Sequence, residues 1–349
     1  MAPRVSVVVP IYNVAAYLEA CLDSLAQQTM ADLEIIMVDD GSTDESPVIA
    51  QRFVARDGRF RLVRQPNAGL GAARNTGIGH SAGEFLAFVD SDDVLPLNAY
   101  EALLGALDRT GSDFATGNIR RLTSLGTTRA TFLANAFARE RLETHITSFP
   151  SLTADRLACN KLFRRSFWDR HGFRFPEGVR NEDIPVIMSA HYLAGSVDVV
   201  AETVYLWRRR EGGDLSGSQR RVGVKALRDR VAAVDHVSRF LADRGMIEAK
   251  SVYDKSVVGN DLRYFLDVLD DAPDDERHLF LDLANDFLDR ADAQVLEQPL
   301  AIDRLKWQLV RRRALPELLE VLRFADEELA ETPPVREGGH WYGDYPYRT

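Results

Sequence analysis

Residues 34–44 read Glu34-Ile35-Ile36-Met37-Val38-Asp39-Asp40-Gly41-Ser42-Thr43-Asp44. The stretch opens apolar and β-branched, which suits a strand buried on both faces. It breaks at an acidic glycine turn. Ser42-Thr43-Asp44 then offers caps to a helix whose apolar stripe includes Val48, Ile49 and Phe53. The reading is strand, turn, helix, and it recurs on either side. Val5-Ser6-Val7-Val8-Val9 is a strand of the same kind, stopping at Pro10, with Leu18, Cys21, Leu22 and Leu25 following at helical spacing. Arg61-Leu62-Val63 is a third strand. A Gly/Ala-rich segment from Gly69 to Gly79 leads to a fourth, Phe85-Leu86-Ala87-Phe88-Val89, which ends in Asp90-Ser91-Asp92-Asp93. Such alternation predicts an α/β fold: a parallel sheet covered by helices on both faces. Ligands bind such sheets beyond the carboxyl ends of the strands, and two strands here end in acid clusters at that edge.

Beyond residue 118 the pattern loosens. Residues 120–155 are mixed and polar and read as a loop region. Glu182 to Leu193 reads as helix, and Val197–Val200 and Val204–Trp207 as two short strands. From about residue 222 the periodicity is helical, over Val224–Leu241, Ser251–Leu269, Glu276–Leu288, Leu305–Val310 and Leu315–Leu329, with Pro316 suited to a first turn. This divides the chain into a first domain over 1–220, a helical domain over 221–330 and an aromatic tail or linker over 331–349. The tail, His340-Trp341-Tyr342-Gly343-Asp344-Tyr345-Pro346-Tyr347, is too aromatic for a plain linker and is expected to dock on the body or on a further domain.

The chain has 349 residues, enough for about two domains. Asp and Glu total 53 against 43 Lys and Arg, a net charge of −10. That balance argues against nucleic acid as the main partner. No apolar run approaches the roughly 18 residues of a membrane span. Met1-Ala2-Pro3-Arg4 runs straight into the first strand, so no signal peptide is expected. Cys21 and Cys159, the only cysteines, make neither a disulfide framework nor a zinc cluster, and a cytoplasmic setting is expected.

Each motif carries a chemical and a structural reading. Pro10-Ile11-Tyr12-Asn13 and Asp39-Asp40 share one sheet edge, where a ring can stack on a base and a carboxylate can accept a base N–H. Alternatively Tyr12 is core and Asp40 a turn residue. Asp90-Ser91-Asp92-Asp93 crowds three carboxylates, a cost relieved by a cation. Hard oxygen ligands suit Mg²⁺ or Mn²⁺ shared with substrate phosphates, whereas a helix cap accounts for one Asp only. Gly69-Leu70-Gly71-Ala72-Ala73-Arg74 fails as a dinucleotide loop, because Arg74 takes the third glycine position. Arg74 points at a phosphate or forms a surface ion pair. In Asn181-Glu182-Asp183-Ile184-Pro185 a carboxylate serves as general base, or the segment only caps a helix. Trp207-Arg208-Arg209-Arg210-Glu211-Gly212-Gly213, with Ser216, closes over a pyrophosphate or is a basic edge patch.

Taken in order, Val5–Asn13, Val38–Asp44, Asn67–Asn75 and Phe88–Asp93 resemble the motifs of the inverting family 2 glycosyltransferases of GT-A fold. The resemblance is strong over residues 4–118 and looser to about 218. It implies a metal-dependent single displacement from a UDP-sugar, with Mn²⁺ or Mg²⁺. Pro10, Tyr12, Asn13 and Asp40 would hold the nucleotide, Asp40 reading the uracil edge. Arg74 would lie near the base or phosphates. Asp90 and Asp92 match the metal motif, with Asp92 the direct ligand. Glu182 and Asp183 match the base motif, Asp183 being the base and Glu182 a donor-side residue. Asn160-Lys161-Leu162-Phe163 resembles a segment on the acceptor side, and Arg208 or Arg210 would serve the pyrophosphate. The helical part and tail resemble glycosyltransferase modules fused to glycerophosphotransferases of teichoic-acid or capsule synthesis. That implies a glycopolymer or polyol-phosphate acceptor. It also leaves room for a glycerophosphotransferase domain, an oligomer and peripheral contact with the inner face of the membrane. Arg311-Arg312-Arg313 is the local basic stretch available for such contact. The processive membrane synthases carry spanning helices and a Gln-x-x-Arg-Trp motif, and the sequence has neither. Two rival readings fit these residues less well. A non-catalytic binding module would be expected to lose the base or the metal acids. A nucleotidyltransferase would carry a Gly-rich basic loop where Pro10-Ile11-Tyr12-Asn13 stands.

Overall fold

The computed structural model describes residues 3–211, 223–297, 300–327, 329, 335–337, 340–342 and 345–347. The chain forms two compact units, residues 1–220 and 221–349.

The first unit runs β1 (Val5–Ile11), α1 (Ala15–Ala26), β2 (Leu33–Asp39), α2 (Ser46–Arg56), β3 (Phe60–Arg64), α3 (Leu70–His80), β4 (Phe85–Phe88) and α4 (Ala99–Thr110). It continues through β5 (Phe114–Thr123), β6 (Gly126–Arg129), β7 (Arg141–Thr144), β8 (Lys161–Arg164), α5 (Arg165–His171), α6 (Asp183–Leu193) and β9 (Val197–Arg208). One sheet has the order β3-β2-β1-β4-β8-β5-β9-β7, with β6 paired to the outer half of β5. Every residue of β1, β2 and β4 is buried, the signature of strands covered on both faces. The aromatic core between β4, β8 and the helices includes Phe88, Phe114, Phe163, Trp168 and Phe175, with Phe88 and Phe175 edge to face at 5.1 Å.

The sheet is mixed, where a parallel one was expected. β1 to β4 pair in parallel, but β8 is antiparallel to both β4 and β5. An antiparallel return needs no crossover helix, and none lies between β5 and β8. The two short strands expected over 197–207 are one continuous strand, whose register against β5 shifts at Gly117 and Asn118. A Cβ on Gly117 would stand 2.4 Å from a methyl of Val204, so only glycine admits this approach. The expected loop over 120–155 instead holds the end of β5, β6 and β7, with Leu133, Phe137, Ile146 and Leu152 buried under it. Its apolar anchors are too widely spaced to show a period.

The second unit contains α7 (Val224–Asp243), α8 (Ile247–Ser256), a π-helical turn (Val257–Leu262), α9 (Arg263–Asp267), α10 (Asp274–Leu288), α11 (Ala301–Arg312) and α12 (Leu315–Glu327). Its core buries Tyr253, Phe280, Phe287, Trp307 and Val310. The helix expected over 251–269 starts earlier and passes through the π turn. In the tail β10 (Val335–Glu337) and β11 (His340–Tyr342) form an antiparallel pair. Tyr345 packs on Phe324 at 6.2 Å, and the Tyr347 hydroxyl donates to Glu320. Within the Arg311–Arg313 stretch, Arg311 pairs with Asp289 at 2.8 Å and Arg313 with Asp282. Among the described residues no helix is long and apolar enough to cross a membrane.

Candidate active site

At the carboxyl ends of β1 and β2 the two turns are laced together. Asn13 adopts the left-handed region (φ 47°), which Asn tolerates better than most residues. Its Oδ1 accepts from the Thr43 amide at 2.8 Å, and its own amide donates to Ser42 Oγ at 3.2 Å. Asp44 Oδ2 accepts from the Ala15 amide, and Ser46 Oγ from the Val14 amide. Asn13 thereby shapes the turn that presents Tyr12, which is 51% exposed. Pro10 is buried inside β1 opposite Val38 and supports this edge from below.

Asp40 is placed differently from the expectation of a carboxylate open to a base. It is buried, and its Oδ1 accepts from Gln65 Nε2 at 2.7 Å and the Ala68 amide at 2.9 Å, while Oδ2 accepts from the Gly69 amide at 2.9 Å. Three donors from one loop occupy most of a carboxylate's acceptor capacity. Asp40 holds the 65–69 loop as a wall of the crevice. Gln65 was not singled out from the sequence; a lone Gln in a turn carries no periodic signal.

At the end of β4 each acid has its own partner. Asp90 Oδ1 accepts from Arg74 Nη2 at 2.7 Å. Asp92 Oδ2 accepts from Arg210 Nε at 2.8 Å, and the Asp92 carbonyl accepts from Arg208 Nε at 2.6 Å. Asp93, fully buried, accepts from the Tyr205 hydroxyl at 2.6 Å and the Arg208 amide at 2.7 Å. Burial pushes the Asp92 carboxyl upward against the pull of Arg210, and burial with its acidic neighbours pushes Asp93 well upward. Arg208 and Arg210 both lie over the Tyr17 ring, at 5.4 and 5.0 Å. Tyr17 and Tyr205, which support this cluster, were not singled out from the sequence. Gly212, Gly213 and Ser216 lie outside the described residues.

Arg74 corrects the reading of a surface ion pair. It is 2% exposed, with Nη2 on Asp90 and Nη1 on Glu182 Oε1 at 2.5 Å. Its Nε has no hydrogen-bond partner. Glu182 is 6% exposed, and burial raises its carboxyl to about 7 against the pull of Arg74. Asn181 just before it has φ 58°, a turn that starts α6 at Asp183. Asp183 is partly exposed in the first turn of that helix, where the backbone dipole favours its charge. Gly71 seats this segment: a Cβ there would stand 2.1 Å from the Pro176 carbonyl oxygen.

The Asn160-Lys161 segment is internal rather than open to an acceptor. Lys161 Nζ lies 2.8 Å from Asp155 Oδ1, Asn160 Nδ2 donates to the same oxygen at 3.0 Å, and Thr116 Oγ1 donates to Asp155 Oδ2 at 2.7 Å. His191 of α6 lies 3.5 Å from Asp155 Oδ2. Burial alone would raise Asp155, but Lys161 and His191 hold it well below the usual carboxylate range.

The donor chemistry fits a divalent ion shared with a diphosphate. Among the described residues Asp90 and Asp92 are each hydrogen-bonded through one carboxylate oxygen, leaving the other for a hard cation. Among the described residues no three His, Cys, Asp or Glu side chains are placed to hold a metal alone. Magnesium-type ions bound by one or two carboxylates complete their shell with substrate phosphates and water.

An α/β sheet with an acidic motif at the end of β4, a carboxylate at the start of α6 and an exposed ring at the end of β1 defines a nucleotide-sugar transferase of GT-A architecture. The comparisons agree. The glycosyl transferase family 2 model matches residues 6–172. EpsH of Bacillus subtilis (strain 168), named as a glycosyltransferase, is 33% identical over 249 residues, covering 70% of this chain and 71% of that one. Chondroitin synthase of Escherichia coli is 40% identical over 102 residues, 29% of this chain and 15% of that one. The structure of S. aureus TarS residues 1–349 in complex with UDP-GlcNAc superposes with a TM-score of 0.77 at 18% identity, over 98% of this chain and 97% of that one. The chain belongs to glycosyltransferase family 2.

Proposed function

We propose that the protein is a metal-dependent inverting glycosyltransferase moving a sugar from a UDP-sugar to a hydroxyl of a cell-envelope glycopolymer, on the cytoplasmic side. The observation that carries this reading is the Arg74 bridge. One buried guanidinium joins Asp90 of the metal motif to Glu182, the neighbour of Asp183. Leaving-group and base machinery are thereby held at one place. Asp90 and Asp92 would hold Mn²⁺ or Mg²⁺ through their unengaged oxygens. When bound, the ion would neutralise charge on the departing diphosphate. Tyr12 offers a stacking face to the base, and Asn13 and Asp40 keep the walls of that slot in place. Arg208 and Arg210 stand beside Asp92, where guanidinium groups can grip phosphate oxygens. Asp183 takes the proton of the acceptor hydroxyl. The hydroxyl oxygen bonds to the anomeric carbon as the bond to the diphosphate breaks, so configuration inverts. The TarS complex supports UDP as the nucleotide, and the chondroitin synthase match supports a glycopolymer acceptor. The first unit carries this chemistry, and the second serves the acceptor or a further domain.

Calorimetric titration of UDP, with CDP and GDP as controls, tests the reading with Mn²⁺ and with EDTA, on wild type and Asp92→Asn. Metal-dependent UDP binding weakened by the substitution is expected. Absence of nucleotide binding in every condition would overturn it.

A further inference from the structure

β4 and β9 are not neighbours in the sheet, because β8 and β5 stand between them. The turn that follows β4 is nevertheless fastened to β9. β8 is four residues long and its pairing with β4 stops at Ala87, so the chain beyond Phe88 can cross toward β9. Val94 and Leu206 then exchange two backbone hydrogen bonds, at 3.2 and 2.9 Å. β9 is itself irregular here. Its register against β5 shifts at Gly117 and Asn118, and Gly117 packs on Val204. Irregularities of this kind re-aim side chains and recur beside active sites. Tyr205 is the next residue along.

The Asp93 amide donates to the Asp90 carbonyl at 3.0 Å, which closes a turn over residues 90–93. One side chain holds both ends of that turn. The Tyr205 hydroxyl donates to Asp93 Oδ2 at 2.6 Å, and its oxygen accepts from the Asp90 amide at 3.1 Å. Tyr205 is fully buried, so its hydroxyl serves the protein and not a ligand. The second Asp93 oxygen, Oδ1, accepts from the Arg208 amide at 2.7 Å. The three acids therefore divide by role. Asp90 and Asp92 are partly exposed, whereas Asp93 is buried with both oxygens bonded to β9.

We infer that Tyr205 and Asp93 are positioning residues for the metal motif, and that Asp93 is not a ligand. The Tyr205 hydroxyl clamps the turn and so fixes where Asp90 and Asp92 present their carboxylates. The bond from Asp93 to the Arg208 amide keeps the end of β9, with Arg208 and Arg210, beside that turn. Ligands held in place beforehand lose less freedom on binding. The inference rests on the donor reading and deepens it.

The test measures Mn²⁺ affinity in the presence of excess UDP, by calorimetry and by the EPR signal of free Mn²⁺. Thermal unfolding without metal gives the stability of each protein. Wild type is compared with Tyr205→Phe, Asp93→Asn and Asp92→Asn. Tyr100→Phe is the control, since the buried Tyr100 hydroxyl has no hydrogen-bond partner among the described residues. Tyr205→Phe should weaken Mn²⁺ binding by about tenfold or more, as loss of a group that orients metal ligands does. Asp93→Asn keeps an acceptor for the Arg208 amide and should lose less than Asp92→Asn. Tyr100→Phe should match wild type. A merely structural contact would lower the melting temperature and leave the Mn²⁺ affinity of the folded protein unchanged. That result for Tyr205→Phe would overturn the inference. So would an Asp93→Asn variant as impaired in Mn²⁺ binding as Asp92→Asn, which would make Asp93 a ligand; this comparison decides the matter even where Tyr205→Phe does not fold. A wild type that binds neither Mn²⁺ nor UDP would instead remove the donor reading, and this inference with it.

Discussion

Arg74 and Glu182 lie 108 residues apart in the chain and meet at 2.5 Å in the buried floor of the site. The same guanidinium reaches Asp90 at 2.7 Å. A cation in this position offsets two carboxylates that would otherwise repel, and couples the end of β4 to the start of α6. Removing one partner of a buried pair leaves an uncompensated charge, at a cost of about 3–5 kcal/mol. Arg74→Met should therefore lower unfolding stability by about that amount at pH 8, where Glu182 is ionised. Arg74→Lys should recover only part of it, because an ammonium cannot span two carboxylates with a planar fork. Arg74→Met/Glu182→Leu should be more stable than Arg74→Met alone. Urea unfolding of the three variants checks this, and equal stability of the single and double variants would refute the coupling.

Gly71 is the second support of α6. Its added Cβ would fall 2.1 Å from the Pro176 carbonyl oxygen, a backbone atom that cannot swing aside. Gly71→Ala should cost about 1–3 kcal/mol by overpacking and displace the 176–182 segment. Gly79, with nothing near its Cβ position, serves as the control. Gly79→Ala should be neutral or mildly stabilising in the same thermal unfolding assay.

Asp183→Asn should lower kcat by about 10²–10⁴, the usual range for loss of a general base, with UDP affinity nearly unchanged. Turnover measured over pH should lose its acidic limb in the variant. Near-normal turnover of Asp183→Asn would remove the base assignment.

The Asp155 cluster sets an acid limit on stability. Its folded carboxyl lies below the usual range because Lys161 and His191 outweigh burial. A depressed folded value means the stabilisation is full above the unfolded value of about 3.9 and is lost as pH falls below it. Urea midpoints of wild type should drop on acidification through that window, and Asp155→Asn should start lower and drop less. Parallel curves for the two proteins would show that Asp155 is not the group responsible.

Much of the site could be read from local pattern. β1, β2 and β4 are buried on both faces, so their apolar runs were legible, and so were the residues at their ends: Tyr12, Asn13, Asp40, Asp90 and Asp92. The start of α6 at Asp183 was legible from its acids and the apolar run that follows. Short-range order of this kind leaves a period and a stop signal in the sequence itself. Family likeness was carried by the same residues, which is why it was strongest over residues 4–118.

The sequence by itself thus determined the strand–turn–helix grammar of the first unit and the acids at the crevice edge. Only the tertiary structure decided which partner each charge meets. Arg74 turned inward to two carboxylates, Asp40 closed on the 65–69 loop, and Asn160 and Lys161 joined a buried cluster with Asp155 and His191. It also decided the antiparallel insertion of β8 and the meeting of Tyr205 with Asp93. These features rest on contacts between distant segments. A charge's partner depends on which element folds beside it, and no local period records that.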